Sequence, residues 1–582
     1  MSLSFAIILR LRSRARTIDQ DAGTVAMSNG FFPRRKPTIS IDPKRMGSFD
    51  RIGAVPSSRG GGGGVGRLRD LLLSSSSSWS WGHFSHHDGK GSRSVALLAA
   101  ALVVTVLVCF GMFARGGGDG EPRHVVVFDA GSTGNRVHVF EFDTSGRDGP
   151  RLKQEVFHAE KPGLKERAED PRAAAALLDP LVATAMRSVP ARARKRTPLT
   201  LRATAGLRLL PEGPAAADAI MDAVRSKLAR TGFDVKSRDV SILSGDDEGL
   251  YGWVAVNYLL GRIGGGGDGR TGKNTVALAD LGGGSAQLSY AVDADVASAA
   301  PAGYVRTVPG TRGPAGPSSA YVHSFNGYGL VAARHRILAV GGAGEAKAGE
   351  AKAGETPVAS GKGTRAPPSR ARTHACIHAG HAGHSCDRDC YGLDDPTTSY
   401  SVTPAEAGGS FEGCVRAATN ALDADEECEH APCSFGGAWR AARATGVTEF
   451  YAMSYIAERA VQCGAADAPA DDATPTTTTP RRLAAAGADA CATRVDRLGA
   501  KYPNVEEEHR PWLCADVAYV YALLTRGFGV GEDETVTLVD KIAYRGEAVE
   551  AAWALGDAIA VMEGGRGGEG GDGVVTERSR AR

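Results

Sequence analysis

The stretch Val125-Val126-Val127-Phe128-Asp129-Ala130-Gly131-Ser132-Thr133-Gly134 decides the fold. Three β-branched residues and a Phe read as a buried strand, which ends on a carboxylate and a turn of small residues. Glycines there let backbone N–H groups come within hydrogen-bonding distance of an anion, and the Ser132 and Thr133 hydroxyls add donors. A carboxylate facing a phosphate calls for a cation between them, so Asp129 points to a divalent ion as well. The design occurs twice. Val276-Ala277-Leu278-Ala279-Asp280-Leu281-Gly282-Gly283-Gly284-Ser285 again runs from apolar strand to Asp to Gly/Ser turn. Two copies suggest two equivalent half-sites facing one phosphate chain.

A chain of 582 residues exceeds what one hydrophobic core usually holds, so two or more lobes are expected. Glycine runs such as Gly60–Gly64 and Gly264–Gly267 read as linkers. The net charge of +2 hides an asymmetry: residues 1–94 hold 15 Lys/Arg against 6 Asp, a balance of +9, which leaves −7 for the rest. A nucleic-acid-binding protein keeps its basic charge on its folded part, so nucleic acid is not the expected partner.

Residues 1–94, rich in Arg, Ser and Gly, read as a disordered basic tail. Val95–Phe113 is 19 residues without a charge, long enough to cross a bilayer as a helix within the segment 95–114. Basic residues precede it. The positive-inside rule then puts the tail in the cytosol and everything after Arg115 in the lumen or outside, a single-pass type II arrangement of the Golgi or plasma membrane. Cysteine usage agrees: Cys109 lies in the span, and the other nine fall between Cys376 and Cys514, as in a disulfide framework of an exported domain. Cys428 and Cys433 enclose a tight loop, and Cys491 with Cys514 is a second candidate pair. An odd number leaves one thiol over or pairs it between chains. His374, Cys376, His378, His381, His384, Cys386 and Cys390 could together hold zinc, but disulfides plus loop histidines is the preferred reading of this Gly-rich segment. The low-complexity segments 342–372 and 465–490 are expected to loop out as disordered insertions.

Two further motifs lie between the Gly loops. Leu201-Arg202-Ala203-Thr204-Ala205-Gly206-Leu207-Arg208 reads as a strand running into a turn that opens a helix. Ile242 to Trp253 places Asp246, Asp247 and Glu248 at the entry of an apolar helix, where acids also offset the helix dipole for a few tenths of a kcal/mol. The four motifs in this order resemble the apyrase family, the nucleoside triphosphate diphosphohydrolases. Its conserved regions match Asp129–Arg136, Ala203–Arg208, Ser244–Trp253 and Asp280–Gln287, with a weaker fifth at Trp553–Gly556. Tyr328-Gly329, Cys433–Trp439 and Leu513–Asp516 add support. The resemblance covers residues 122–563 without the insertions.

That resemblance implies an α/β fold of two ribonuclease-H-like lobes, as in actin and the sugar kinases, with nucleotide in the cleft. Residues 122–237 and 546–566 would form the first lobe and 238–545 the second. It also implies hydrolysis of nucleoside tri- or diphosphates to the monophosphate. Ca²⁺ or Mg²⁺ would be held through water by Asp129 and Asp280. Gly131, Ser132, Thr133, Gly134, Arg136, Gly282, Gly283, Gly284 and Ser285 would bind phosphate. Glu248 matches the catalytic base, Ser285 and Gln287 match residues that orient the attacking water, and Thr204 lines the same spot. Tyr455, in Phe450–Tyr455, matches a base-stacking residue. Asn135 departs from the family, which usually has Thr or Ser there, and Asn326 replaces a Cys of the animal cell-surface members. Two alternatives remain: an exopolyphosphatase or pppGpp-phosphatase built on the same fold, and a nucleotide-binding membrane protein without turnover.

Overall fold

The structure, a computed structural model, describes Leu102, 123–145, 150–264, 274–313, 316–340 and 372–564. These residues belong to one compact unit, Leu102–Arg582. The tail at 1–94, the membrane span at 95–113 apart from Leu102, and the insertion at 342–372 up to its last residue lie outside the described residues. Among the described residues no helix is long and apolar enough to cross a membrane.

Strand β1 (Arg123–Ala130) pairs antiparallel with β2 (Asn135–Asp143), which pairs antiparallel with β3 (Arg151–Glu160). Strands β4 (Leu199–Ala203) and β5 (Val240–Ile242) extend the other edge in parallel, giving the order β3-β2-β1-β4-β5. Val126 and Phe128 face one core, with Leu181, Ile220 and Val224 of two covering helices. Val125 and Val127 face a second core, with Trp253 and Leu555. Burial on both faces is why β1 shows no polar alternation.

The second half holds β6 (Ala277–Leu281), β7 (Ser285–Ala291), β8 (Val305–Gly313) and β9 (Gly316–Asn326). A small sheet follows, of β10 (Arg372–His374), β11 (His384–Cys386) and β12 (Tyr400–Pro404). Then come β13 (Phe450–Ser454), β14 (Thr476–Thr478), β15 (Val536–Leu538) and a hairpin of β16 (Lys541–Tyr544) with β17 (Glu547–Glu550). The large sheet has the order β14-β15-β13-β6-β7-β9-β8. Its run β9-β7-β6-β13-β15 repeats β3-β2-β1-β4-β5 strand for strand, with the same directions. The registers repeat too. Asp129 sits opposite Arg136, and Asp280 opposite Gln287. Ala130 lies beside Ala203, and Leu281 beside Ser454, so the next residues, Thr204 and Tyr455, occupy like places.

The segment 465–490 corrects the expectation of a disordered insertion. Thr476–Thr478 forms edge strand β14 against β15, as suits a β-branched run. Thr479 then caps the helix Pro480–Ala492, accepting from the Arg482 backbone N–H at 3.2 Å, with Pro480 in its first turn. Thr-Pro is a helix-start signal that the Ala-, Asp- and Thr-rich composition obscures.

The disulfides include the two anticipated, Cys428–Cys433 and Cys491–Cys514, and add Cys376–Cys414 and Cys386–Cys390. The odd cysteine is Cys463, buried and free. With Cys376, Cys386 and Cys390 in disulfides, no zinc cluster forms from this segment. His374 bonds the Ile337 carbonyl at 3.2 Å and His378 the Thr493 carbonyl at 2.8 Å, while His384 stacks on Trp512.

The last helix, Trp553–Gly564, returns to the first sheet by apolar packing against Val125 and Val127 and by one buried acid. Asp557, 1% exposed, accepts from the Thr200 hydroxyl at 2.7 Å and pairs with Arg202 at 3.4 Å. Removing one partner of a buried pair strands the other charge, at a cost of about 3 kcal/mol. Asp557→Ala is therefore expected to lower the unfolding free energy by about 3 kcal/mol in equilibrium urea denaturation; an unchanged midpoint would remove Asp557 from this role.

Candidate active site

Both Gly loops sit at strand ends and come together. The Gly131 N–H donates to the Gly134 carbonyl at 2.9 Å, closing the first loop. A Cβ on Gly206 would stand 2.7 Å from the Ser132 Cα, so the second motif needs glycine to seat the first loop. A Cβ on Gly283 would stand 2.6 Å from the Ser132 hydroxyl, and one on Gly284 would stand 2.8 Å from the Ala205 methyl. The two halves thus meet loop to loop.

The three acids of the third motif divide their roles. Ser244 caps the helix Gly245–Leu259, accepting from the Asp247 N–H at 3.1 Å, and its hydroxyl donates to the Asp247 carboxylate at 2.7 Å. Asp246 accepts from the Ser324 N–H at 2.9 Å and lies 3.6 Å from Arg306. Glu248 instead accepts from Arg208 at 2.9 Å, and the same guanidinium nitrogen lies 3.1 Å from the Ser285 hydroxyl. The Gln287 amide donates to Ser285 at 2.7 Å and to the Ser324 hydroxyl at 3.0 Å. Glu248, Ser285 and Gln287 therefore form one hydrogen-bonded group with Arg208.

Burial pushes the Glu248 carboxyl up to about 7; Arg208 opposes the shift, and Asp280 and Asp129 add to it. Keeping that charge above pH 7 opposes folding by roughly 3 kcal/mol. A dipole effect of a few tenths does not offset that cost, and a carboxyl shifted this far in a cleft has the protonation behaviour a general base at neutral pH needs. Asp280 is pushed up to about 6, chiefly by burial, with the Ser454 hydroxyl bond lowering it and Asp129 raising it. Ser454 is held at φ 58°, a conformation that costs a non-glycine residue on the order of 1 kcal/mol or more.

Asp129 pairs through Oδ2 with Arg136 at 3.0 Å. Its other oxygen, Oδ1, and Oδ1 of Asp280 are buried and have no hydrogen-bond partner among the described residues. Two orphaned carboxylate oxygens fit a hard cation. Thr204 is buried at the end of β4, its N–H donating to the Ala130 carbonyl at 3.2 Å. Tyr455 is half-buried, with the Arg459 guanidinium 5.2 Å from its ring. Arg459 in turn shares Asp516 with Arg334, at 2.8 and 2.7 Å.

Arg136 reaches Asp129 through one guanidinium nitrogen, Nη1, and its side chain is about one-third exposed. Asn135, where the family usually has Thr or Ser, is buried, and its amide donates to the Pro162 carbonyl at 2.8 Å. It steadies the turn behind the loop. Arg208, Ser324, Ser454, Lys165 and Tyr391 had no assigned role in the sequence reading. Only Arg208 carried a signal, four residues after Thr204 on the turn that opens a helix.

Against known proteins, the profile of the GDA1/CD39 (nucleoside phosphatase) family matches residues 118–566. The chain belongs to this family. It is 36% identical over 451 residues to "Probable apyrase 2" of Oryza sativa subsp. japonica, covering 75% of this chain and 85% of that protein. It is 31% identical over 453 residues to the "Guanosine-diphosphatase" of Schizosaccharomyces pombe, covering 76% and 74%. A crystal structure of nucleoside triphosphate hydrolases from Neospora caninum superposes with a TM-score of 0.52 at 15% identity, covering 80% of this chain and 97% of that one. That likeness is one of fold. The GDA1/CD39 match runs to the end of the last helix and so includes Asp557.

The raised carboxyl of Glu248 has a signed consequence. A carboxyl whose folded value lies above its unfolded one favours folding in acid, and that contribution is lost as pH rises from about 4.5 to about 7. Glu248→Gln lacks this loss. The variant's Tm minus the wild type's is expected to grow across that window in EDTA. A difference that is flat or shrinks in thermal melts at several pH values would contradict it.

Proposed function

We propose that this nucleoside phosphatase is a divalent-cation-dependent hydrolase of the phosphoanhydride bonds of nucleoside tri- and diphosphates, with nucleotide held between two ribonuclease-H-like lobes. The observation that carries the reading is Glu248: a buried carboxyl tuned near neutrality, bonded through Arg208 to Ser285, in the cleft where the two Gly loops meet. Asp129 and Asp280 offer the orphaned oxygens that would hold Ca²⁺ or Mg²⁺, directly or through water. When bound there, the ion would neutralise charge on the transferred phosphoryl group.

The chain's own groups do the rest. Backbone N–H groups of Gly131–Gly134 and Gly282–Gly284, with the Ser132 and Thr133 hydroxyls, bind phosphate oxygens. Ser285 and Gln287 hold the attacking water, beside Thr204. The Glu248 carboxylate takes its proton, and Arg208 fixes the carboxylate's direction. Arg136 exchanges part of its contact with Asp129 for a phosphate oxygen. Tyr455 stacks on the base, with the Arg459 cation beneath its ring. Successive removal of terminal phosphates would take a triphosphate to the monophosphate. The uncharged run at 95–113 and four disulfides support a membrane-anchored enzyme whose catalytic part faces the lumen or the outside.

A substrate panel tests this on the purified protein with each metal. Phosphate release from ATP and ADP at similar rates supports an apyrase, strong preference for GDP or UDP supports a nucleoside diphosphatase, and release from long-chain polyphosphate alone overturns both. Glu248→Gln should lower kcat by about 10²- to 10⁴-fold while the Kd for a non-hydrolysable nucleotide stays nearly constant; unchanged turnover would remove Glu248 from the base role. Adding Ca²⁺ or Mg²⁺ should raise the Tm of the wild type and not that of Asp280→Asn. An equal rise in both would exclude Asp280 as a ligand.

A further inference from the structure

Tyr391 and Lys165 come from opposite halves of the molecule and meet beside the phosphate loops. Lys165 lies in the turn Leu164–Arg167, directly behind the first loop: a Cβ on the neighbouring Gly163 would stand 2.9 Å from the Gly131 carbonyl and 3.2 Å from that of Ser132. Its ammonium sits over the Tyr391 ring, 4.4 Å from the centroid, and its other charged neighbour is Glu166 at 4.0 Å. Tyr391 follows Cys390, whose disulfide to Cys386 fixes the short loop that presents the ring. The Tyr391 hydroxyl reaches the second loop, 2.5 Å from where a Cβ on Gly284 would stand. It is buried and has no hydrogen-bond partner among the described residues.

A buried, unsatisfied hydroxyl is costly, and a tyrosine ring offers no advantage there over phenylalanine unless something accepts its proton. Burial keeps the phenol neutral, pushed up to about 12, with Arg208 and Glu248 among the charges that act on it. The hydroxyl is therefore a fixed donor at the Gly284 end of the cleft, next to Ser285. An anion seated on the Gly282–Gly284 amides is the acceptor that this position lacks.

We infer that Tyr391 is a further substrate-contacting residue, its hydroxyl donating to a terminal-phosphate oxygen, and that Lys165 reaches across the cleft to clamp the ring in that place. The inference rests on the proposed seat of the terminal phosphate beside Ser285. Lys165 is a positioning residue, acting through the face of the ring.

Steady-state kinetics of Tyr391→Phe, Lys165→Met, Lys165→Arg and the double variant Tyr391→Phe/Lys165→Met test it, with Glu248→Gln assayed in parallel on the same nucleotide. Loss of the hydroxyl should lower kcat/KM by roughly 10- to 100-fold, the usual effect of one hydrogen bond to a charged group, without lowering the Tm. Lys165→Met should lower kcat/KM less, Lys165→Arg should restore most of it by keeping a cation over the ring, and the double variant should fall no further than Tyr391→Phe alone. Wild-type kinetics in Tyr391→Phe while Glu248→Gln is inactive would overturn the inference and leave the proposed function standing. Full activity in Glu248→Gln would overturn the proposed seat and this inference with it. Strictly multiplicative effects in the double variant would overturn the clamp.

Discussion

Two carboxylates in one poorly solvated cleft cannot both stay charged without something positive between them, and the architecture depends on that constraint. At an effective dielectric near 20, like charges several ångströms apart repel by a few kcal/mol. Asp129 meets the constraint on one side by pairing with Arg136. Asp280 meets it by a rise in its pKa and a bond from the strained Ser454. Each still leaves one buried oxygen without a partner among the described residues. The site is thus built in a state of electrostatic debt that a bound cation would relieve, and the glycines at 206, 283 and 284 let the two loops approach closely.

Around that centre, stability and chemistry are kept in different residues. Asp246, Asp247 and Glu248 are neighbours in sequence, yet the first ties the helix entry to β9, the second holds the capping Ser244 and the third bonds Arg208. Away from the cleft, Asp516 is a buried acid matched by two arginines, and Asp557 is a buried acid held by Arg202 and the Thr200 hydroxyl. The Asp516 pairs join three helices, and the Asp557 pair joins the last helix to the first sheet. The contrast separates acids that hold the fold from acids that the fold tolerates.

Much of this was legible in the residues themselves. The uninterrupted apolar run of β1, the Asp and the Gly turn predicted a buried strand ending in a tight loop, and the repeat at Asp280 predicted its partner, because strand-end loops are fixed by local sequence. The tight Cys428–Cys433 loop was legible for the same local reason. The hydrogen bond between Arg208 and Glu248 spans 40 residues, and Lys165 and Tyr391 meet from two halves, so no periodicity could disclose either. The bond from Asn135 to the Pro162 carbonyl spans 27 residues and was no more visible in its motif. At 465–490 low complexity outweighed a short, correct signal, Thr479-Pro480.

The matched registers of the two sheets carry a further consequence. Opposite the aspartates stand Arg136 in one half and Gln287 in the other, and after the parallel neighbours stand Thr204 and Tyr455. The repeated scaffold thus places a cation where its counterpart has an amide, and a hydroxyl where its counterpart has an aromatic ring. In-line displacement has a direction, since the nucleophile enters on one side and the leaving group departs on the other. Had the halves stayed identical, the cleft would have no means to tell those sides apart. Two differences at symmetry-related positions would give it a polarity.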